Sequence, residues 1–276
     1  MLKKYHFISG LPRSGSTLLA GLLRQHPDFH AAMSSPVAAL MNSLLEQTGA
    51  GSEFYSFFDE AKRKRLISSM FTAYYQEQNN KSVVFDTNRM WTARLHQLNE
   101  LFDDFKMVCC VRNPAWIADS FETLYRKNPF DYSRMFNPQT RQTVYSRCES
   151  LIQASGTIGS PWTALKEAFY GEHSERLLLI EYDLLTQYPE KTMALVYQFL
   201  GLAEFAHDFD NVKYEANEFD QQLGVAGLHQ VKRKVNFTPR RSILPPDLFQ
   251  KYSDMAFWQD TAGTAASVIA SSNKVK

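Results

Sequence analysis

Five consecutive residues, Arg13-Ser14-Gly15-Ser16-Thr17, stand between an apolar run and a helix-forming stretch, and their types suit them to hold an anion. The segment FISGLPRSGSTLL (residues 7–19) places glycines at Gly10 and Gly15, nearly the spacing of the phosphate loop G-x-x-x-x-G-K-[ST]. In such loops successive backbone N–H groups and a helix N-terminus converge on a phosphate. Where that motif has its Lys, this chain has Ser16, and a cation stands three positions earlier as Arg13. The loop can therefore cradle a phosphate, but it lacks the Lys that reaches a β/γ-phosphate pair. A glycine turn joining a strand to a helix is the other reading of the loop taken alone.

Two further segments deliver charged groups to strand ends. One is the run 82–86, which ends in Asp86 and continues as Thr87, Asn88 and Arg89. The other is Val111-Arg112-Asn113-Pro114, with Ser120 eight residues beyond Arg112 on the helix that Pro114 begins. An Arg leaving a strand with a hydroxyl on the next helix suits a second phosphate, separate from the first; a salt bridge to a neighbouring carboxylate is the alternative for Arg112. Asp86 is a candidate general base, because burial at a strand end raises a carboxyl pKa. It could equally cap the following turn or pair with Arg89. His30 is a second base candidate.

These groups need elements to position them. Apolar runs at 5–9, 82–86, 106–111 and 176–181 read as strands. Helices are expected at 17–25, from Ser35-Pro36 to about 47, over 53–78, 93–102 and 114–127, in two pieces within 139–170, over 189–200, and from Pro245-Pro246 to about 258. Alternation of this kind implies an α/β, P-loop-like three-layer fold, a central parallel sheet with helices on both faces. Ligands in such sheets bind beyond the carboxyl ends of the strands. One domain is expected over 1–260, with a small, polar tail from 261 to 276 that frays.

Composition narrows the partners. At 276 residues, 44% hydrophobic and 13% aromatic, the chain can fill a core. A formal net charge of +1 argues against coating nucleic acid or membranes, so any anion site is local. Cys109, Cys110 and Cys148 have no zinc-like spacing and fit buried thiols in a reducing compartment. No apolar stretch approaches a membrane span, and the expected location is cytoplasmic. Aromatics at Phe54, Tyr55, Phe57, Phe58, Phe130, Tyr132 and Phe136 are candidates for an apolar acceptor cleft, or for ordinary core.

Together these segments resemble the 3′-phosphoadenylyl-sulfate (PAPS) dependent sulfotransferases, and most nearly their protein-tyrosine sulfotransferase branch. PRSGSTLL with the following HPDF matches that family's 5′-phosphosulfate loop, and CVRNPAWIADS matches its 3′-phosphate motif. LIEYDLLTQYPEKTMALVYQFLGL and HQVKRKVNFTPRRSILPPDL are similar to two later family segments, the second of which closes over the cofactor. The resemblance implies a sulfuryl transfer from PAPS to a hydroxyl, phenol or amine, leaving adenosine 3′,5′-bisphosphate (PAP), without a metal. It implies that Arg13 stabilises the transferring group; Arg89 is a candidate to supply the positive charge that Thr87 does not, or else pairs with Asp86. Backbone N–H groups of Ser14, Gly15, Ser16 and Thr17 would hold the 5′-phosphate, and Arg112 with Ser120 the 3′-phosphate. Tyr182, Gln230 and Arg241 would complete the nucleotide site. The branch's catalytic Glu aligns with Ser34 and its Lys with Thr87, so the general base is not inherited. A small molecule or peptide is the expected acceptor, and a homodimer is an open expectation. The rival readings are an ATP-dependent P-loop kinase or ATPase, since SVVFD resembles a Walker B strand, and a catalytically silent PAP-binding protein.

Overall fold

The computed structural model describes residues 3–127, 135–214, 220–221, 229 and 231–271. The chain runs β1 (Lys4–Gly10), α1 (Ser16–Leu23), β2 (Phe29–Ala31), α2 (Val37–Thr48), α3 (Glu60–Tyr74), β3 (Val83–Thr87), α4 (Leu95–Leu101), β4 (Met107–Val111), α5 (Pro114–Lys127) and α6 (Val144–Ile152). It continues as α7 (Gly159–Tyr170), β5 (Leu177–Glu181), α8 (Tyr182–Gln187), α9 (Pro189–Leu200), α10 (Pro246–Ser253) and β6 (Ser267–Ile269). The strands form one parallel sheet in the order β2-β3-β1-β4-β5-β6.

The period-2 alternation of strand side chains splits the core in two. Phe7, Val84, Cys109, Val111 and Leu179 face a core built with α2 to α7 and α10, whereas Ile8, Phe85, Cys110, Leu178 and Ile180 face α1, α8 and α9. Helices thus cover both faces, as the alternating pattern implied. The neighbouring cysteines fall on opposite faces, both fully buried and free, and burial pushes the Cys110 thiol up to about 12.

The chain leaves β1 for β2 and β3 on one side and returns to β4 on the other. A crevice opens where the order reverses, beyond the carboxyl ends of β1, β3 and β4. Among the described residues no helix is long and apolar enough to cross a membrane.

Several expectations change. The tail expected to fray from 261 includes residues 267–269, which pair with β5 as the edge strand β6. β2 was not expected; it too has only three residues and forms by pairing with β3. The helix expected over 53–78 is shorter, because the Asp59 carboxylate accepts from the Lys62 N–H at 2.7 Å and starts α3 there. Residues 89–94 form a 3-10 turn ahead of α4, started by the Asn88 side chain accepting from the Met90 N–H.

Candidate active site

A cleft of about 690 Å³ opens at the crevice, within the range of small-molecule sites. The β1–α1 loop forms its floor. Gly10, with φ 107°, lies so close to β4 that a Cβ would stand 2.2 Å from the Cys110 carbonyl oxygen. Arg13 takes φ 57° and Gly15 φ 94°, left-handed conformations that bend the backbone into a concavity. Ser14 is buried, and its hydroxyl donates to the Pro12 carbonyl at 3.2 Å, so only its backbone serves the loop. Gly15, Ser16 and Thr17 line the cleft at the start of α1, where a first helical turn leaves N–H groups without intrahelical partners.

Arg112, Ser120 and Tyr182 line the same cleft. Tyr182 packs on Gly15, where a Cβ would come within 2.8 Å of its ring. The Arg112 guanidinium lies 4.4 Å from the centre of the Tyr182 ring. Its Nε is buried without a hydrogen-bond partner and stands 3.8 Å from Asp183 Oδ1, which is likewise unsatisfied. Desolvation lowers the Arg112 pKa although Asp183 opposes the shift, and desolvation raises that of Asp183. Both the ion pair and the capacity for a further anion are therefore present. Arg13 Nε donates to Ser120 Oγ at 3.1 Å, joining the loop to the β4–α5 corner. Burial lowers the Arg13 pKa, and the nearby Arg112 charge adds to the effect. An anion between these cations would stabilise the charged form of both.

Asp86, expected as the general base, does not reach the cleft. Asp86 is fully buried and absent from the cleft lining. Its carboxylate accepts from Ser35 Oγ at 2.7 and 2.8 Å, from the Tyr75 hydroxyl at 2.6 Å and from Trp91 Nε1 at 2.8 Å. Desolvation raises its pKa against these three donors. Neither turn capping nor pairing with Arg89 describes it; Asp86 ties α2, α3 and the 89–94 turn to β3. Ser35 contributes to this tie while also accepting from the Val37 N–H at 3.2 Å.

The cleft wall beyond Asp86 is formed by Thr87, Asn88 and Arg89. Ser9 Oγ donates to the Arg89 carbonyl at 3.0 Å and fixes that wall to β1. Thr87 Oγ1 is buried without a partner. His30 is absent from the lining and packs edge-on against Tyr75.

The segment 231–236 supplies another wall, with Lys232, Lys234 and Asn236. Backbone bonds from Val212 N to Arg233 O and from Val235 N to Phe209 O hold it in place. Arg241, expected at the nucleotide, is exposed and absent from the lining. Its neighbour Arg240 pairs with buried Asp119 and lies 4.8 Å from the centre of the Trp116 ring. Gln230 lies outside the described residues, as do Phe130 and Tyr132.

The aromatic cleft expected from Phe54, Tyr55, Phe57, Phe58 and Phe136 is also corrected. The first three are exposed, Phe136 belongs to the core, and none of the five lines the cleft. Met33, Phe121, Met135 and Leu151 supply its apolar surface instead, and Ser34 lies among them. Among the described residues, one group has donor atoms placed to hold a metal: His96, Glu172 and His173, outside the cleft.

Residues 6–207 match the model of the Sulfotransferase family, so the chain belongs to that family. The chain is 25% identical over 219 residues to the nodulation protein NoeE of Sinorhizobium fredii, a match covering 71% of this chain and 49% of NoeE. The chain thus spans about half the length of that relative. A sulfotransferase domain from the Synechococcus PCC 7002 olefin synthase shares the fold at TM-score 0.50 and 17% identity, over 91% of this chain and 94% of that one. A sulfotransferase domain from the curacin biosynthetic pathway is similar at TM-score 0.50 and 17% identity, over 94% and 90% of the two chains.

Proposed function

We propose that this sulfotransferase uses PAPS as donor and passes its sulfuryl group to a hydroxyl, phenol or amine of a small molecule or peptide. The observation that carries this reading is the meeting, in one cleft, of a glycine-bent loop bearing Arg13 and a second corner bearing Arg112 and Ser120. Two cationic corners suit a nucleotide with two separate phosphates, whereas a triphosphate chain would call for the Lys absent at Ser16. Arg112 lines the cleft and supplies the positive charge for the second phosphate.

In this assignment the N–H groups of Ser14 to Thr17 hold the 5′-phosphate, and Arg112 with Ser120 the 3′-phosphate. Tyr182 borders the adenosine side. Arg13 stabilises charge that develops on the sulfuryl and the leaving phosphate, with Arg89 on the same cleft lining. Positioning and fixed charge carry much of the rate, as in phosphoryl transfer. Ser34 and Thr87 stand where the tyrosine-sulfating branch has its catalytic Glu and Lys, so the likeness to that branch does not carry its catalytic pair.

Incubation with labelled PAPS and a panel of phenols, alcohols, amines and tyrosine peptides tests the reading. Label is expected on at least one acceptor, with stoichiometric PAP and no requirement for divalent metal. Hydrolysis of Mg-ATP instead would favour the kinase reading, and tight PAP binding without transfer to anything would favour a silent binding protein.

A further inference from the structure

Joining a sulfuryl group to a hydroxyl requires that a proton leave the acceptor oxygen. The residues assigned so far offer no base: Arg13, Arg89 and Arg112 are cations, and Asp86 is enclosed by its three donors. His229 lines the cleft. Its Nδ1 lies 2.6 Å from Asp220 Oδ1, and its backbone N–H donates to Asp220 Oδ2 at 2.9 Å. The Asp220 side chain is only 4% exposed, against 23% for His229. In the tautomer that donates Nδ1–H to the Asp220 carboxylate, Nε2 is the basic nitrogen. Asp220 also acts electrostatically on Arg13, which brings the pair near the loop's cation.

We propose that His229, oriented by Asp220 through Nδ1, is the general base that takes the acceptor's proton. The acceptor hydroxyl passes its proton to Nε2 as its oxygen forms the new S–O bond. The S–O bond to the 5′-phosphate breaks, and its electron pair leaves with PAP. The imidazolium so formed is stabilised by the Asp220 carboxylate and then releases its proton to solvent. This inference rests on the donor reading above. It places the base on the segment preceding the 231–236 wall, away from the strand end where alignment would seek it.

The test uses the full chain, with labelled PAPS and phenols graded from weakly to strongly acidic, water serving as the background acceptor. His229→Gln is expected to lower kcat ~10²–10³-fold for weakly acidic phenols. The loss should shrink for 4-nitrophenol, which is largely ionised without help, and PAP affinity by calorimetry should stay within about twofold. Asp220→Asn should lower kcat by about tenfold or more, because an amide no longer stabilises the imidazolium. In histidine-labelled protein, the low-field Nδ1 proton of His229 should vanish in Asp220→Asn, a signature independent of turnover. An unchanged kcat in His229→Gln would overturn the proposal, as would an equal loss across all phenols or no transfer by the wild type to any acceptor. Failure of the wild type to bind PAP would instead sink the donor reading.

Discussion

At the scale of single residues, the contrast between Asp86 and Arg112 shows how partners decide a role. Both stand at or just beyond a strand's carboxyl end, and both are withdrawn from water. Asp86 has three neutral donors and no opening to the cleft, so its function is to hold three elements together. Arg112 lines the cleft, so its charge can meet a ligand there. Asp86→Asn turns one acceptor oxygen into an amide donor facing the donors that now surround the carboxylate. Melting experiments should show a loss of about 1–3 kcal/mol, the cost of leaving buried polar groups unpaired, while kcat of the surviving folded enzyme stays near wild type. A stable Asp86→Asn protein with abolished turnover would return Asp86 to the catalytic machinery. The sequence placed Asp86 at its strand end correctly, yet its role was not legible there. Tyr75 and Trp91 reach it from separate elements, and no local spacing announces that meeting.

Among elements, those with strong local signals were readable. Continuous apolar runs marked β1, β3, β4 and β5, and Pro114 and Pro189 began α5 and α9 as expected. β2 and β6 escaped because three-residue strands owe their existence to the neighbour they pair with. That Arg240 rather than Arg241 makes an ion pair follows from the Asp119 anchor on α5, a contact more than a hundred residues distant in sequence. The loop between β1 and α1 was legible because its glycines are demanded by geometry. Gly15→Ala would force a Cβ onto the Tyr182 ring at a φ of 94°. We expect a stability loss of about 1–3 kcal/mol from backbone strain. Weaker PAP binding should accompany it, since Tyr182 supports the Arg112 guanidinium. Melting curves with PAP titrations would check both, and an unaffected variant would remove the Tyr182 packing from the account.

For the molecule as a whole, the doubly covered parallel sheet explains why the anion-binding groups converge. The strand order reverses at β1, so the loop after β1 and the corner after β4 open into one crevice. The motifs on those two segments were visible in the sequence because each is local. The pairing of His229 with Asp220 was not, since that stretch shows no periodicity to place it. In the proposed complex the cleft grips two separate phosphates, one at each corner. Calorimetry without divalent metal, titrating PAP and adenosine 5′-phosphate into wild type and Arg112→Ala, tests it most directly. Wild type should prefer PAP strongly, and Arg112→Ala should lose ~2–4 kcal/mol of PAP affinity while binding adenosine 5′-phosphate much as before. Equal affinity of the wild type for the two nucleotides, or an undiminished preference in Arg112→Ala, would contradict the account.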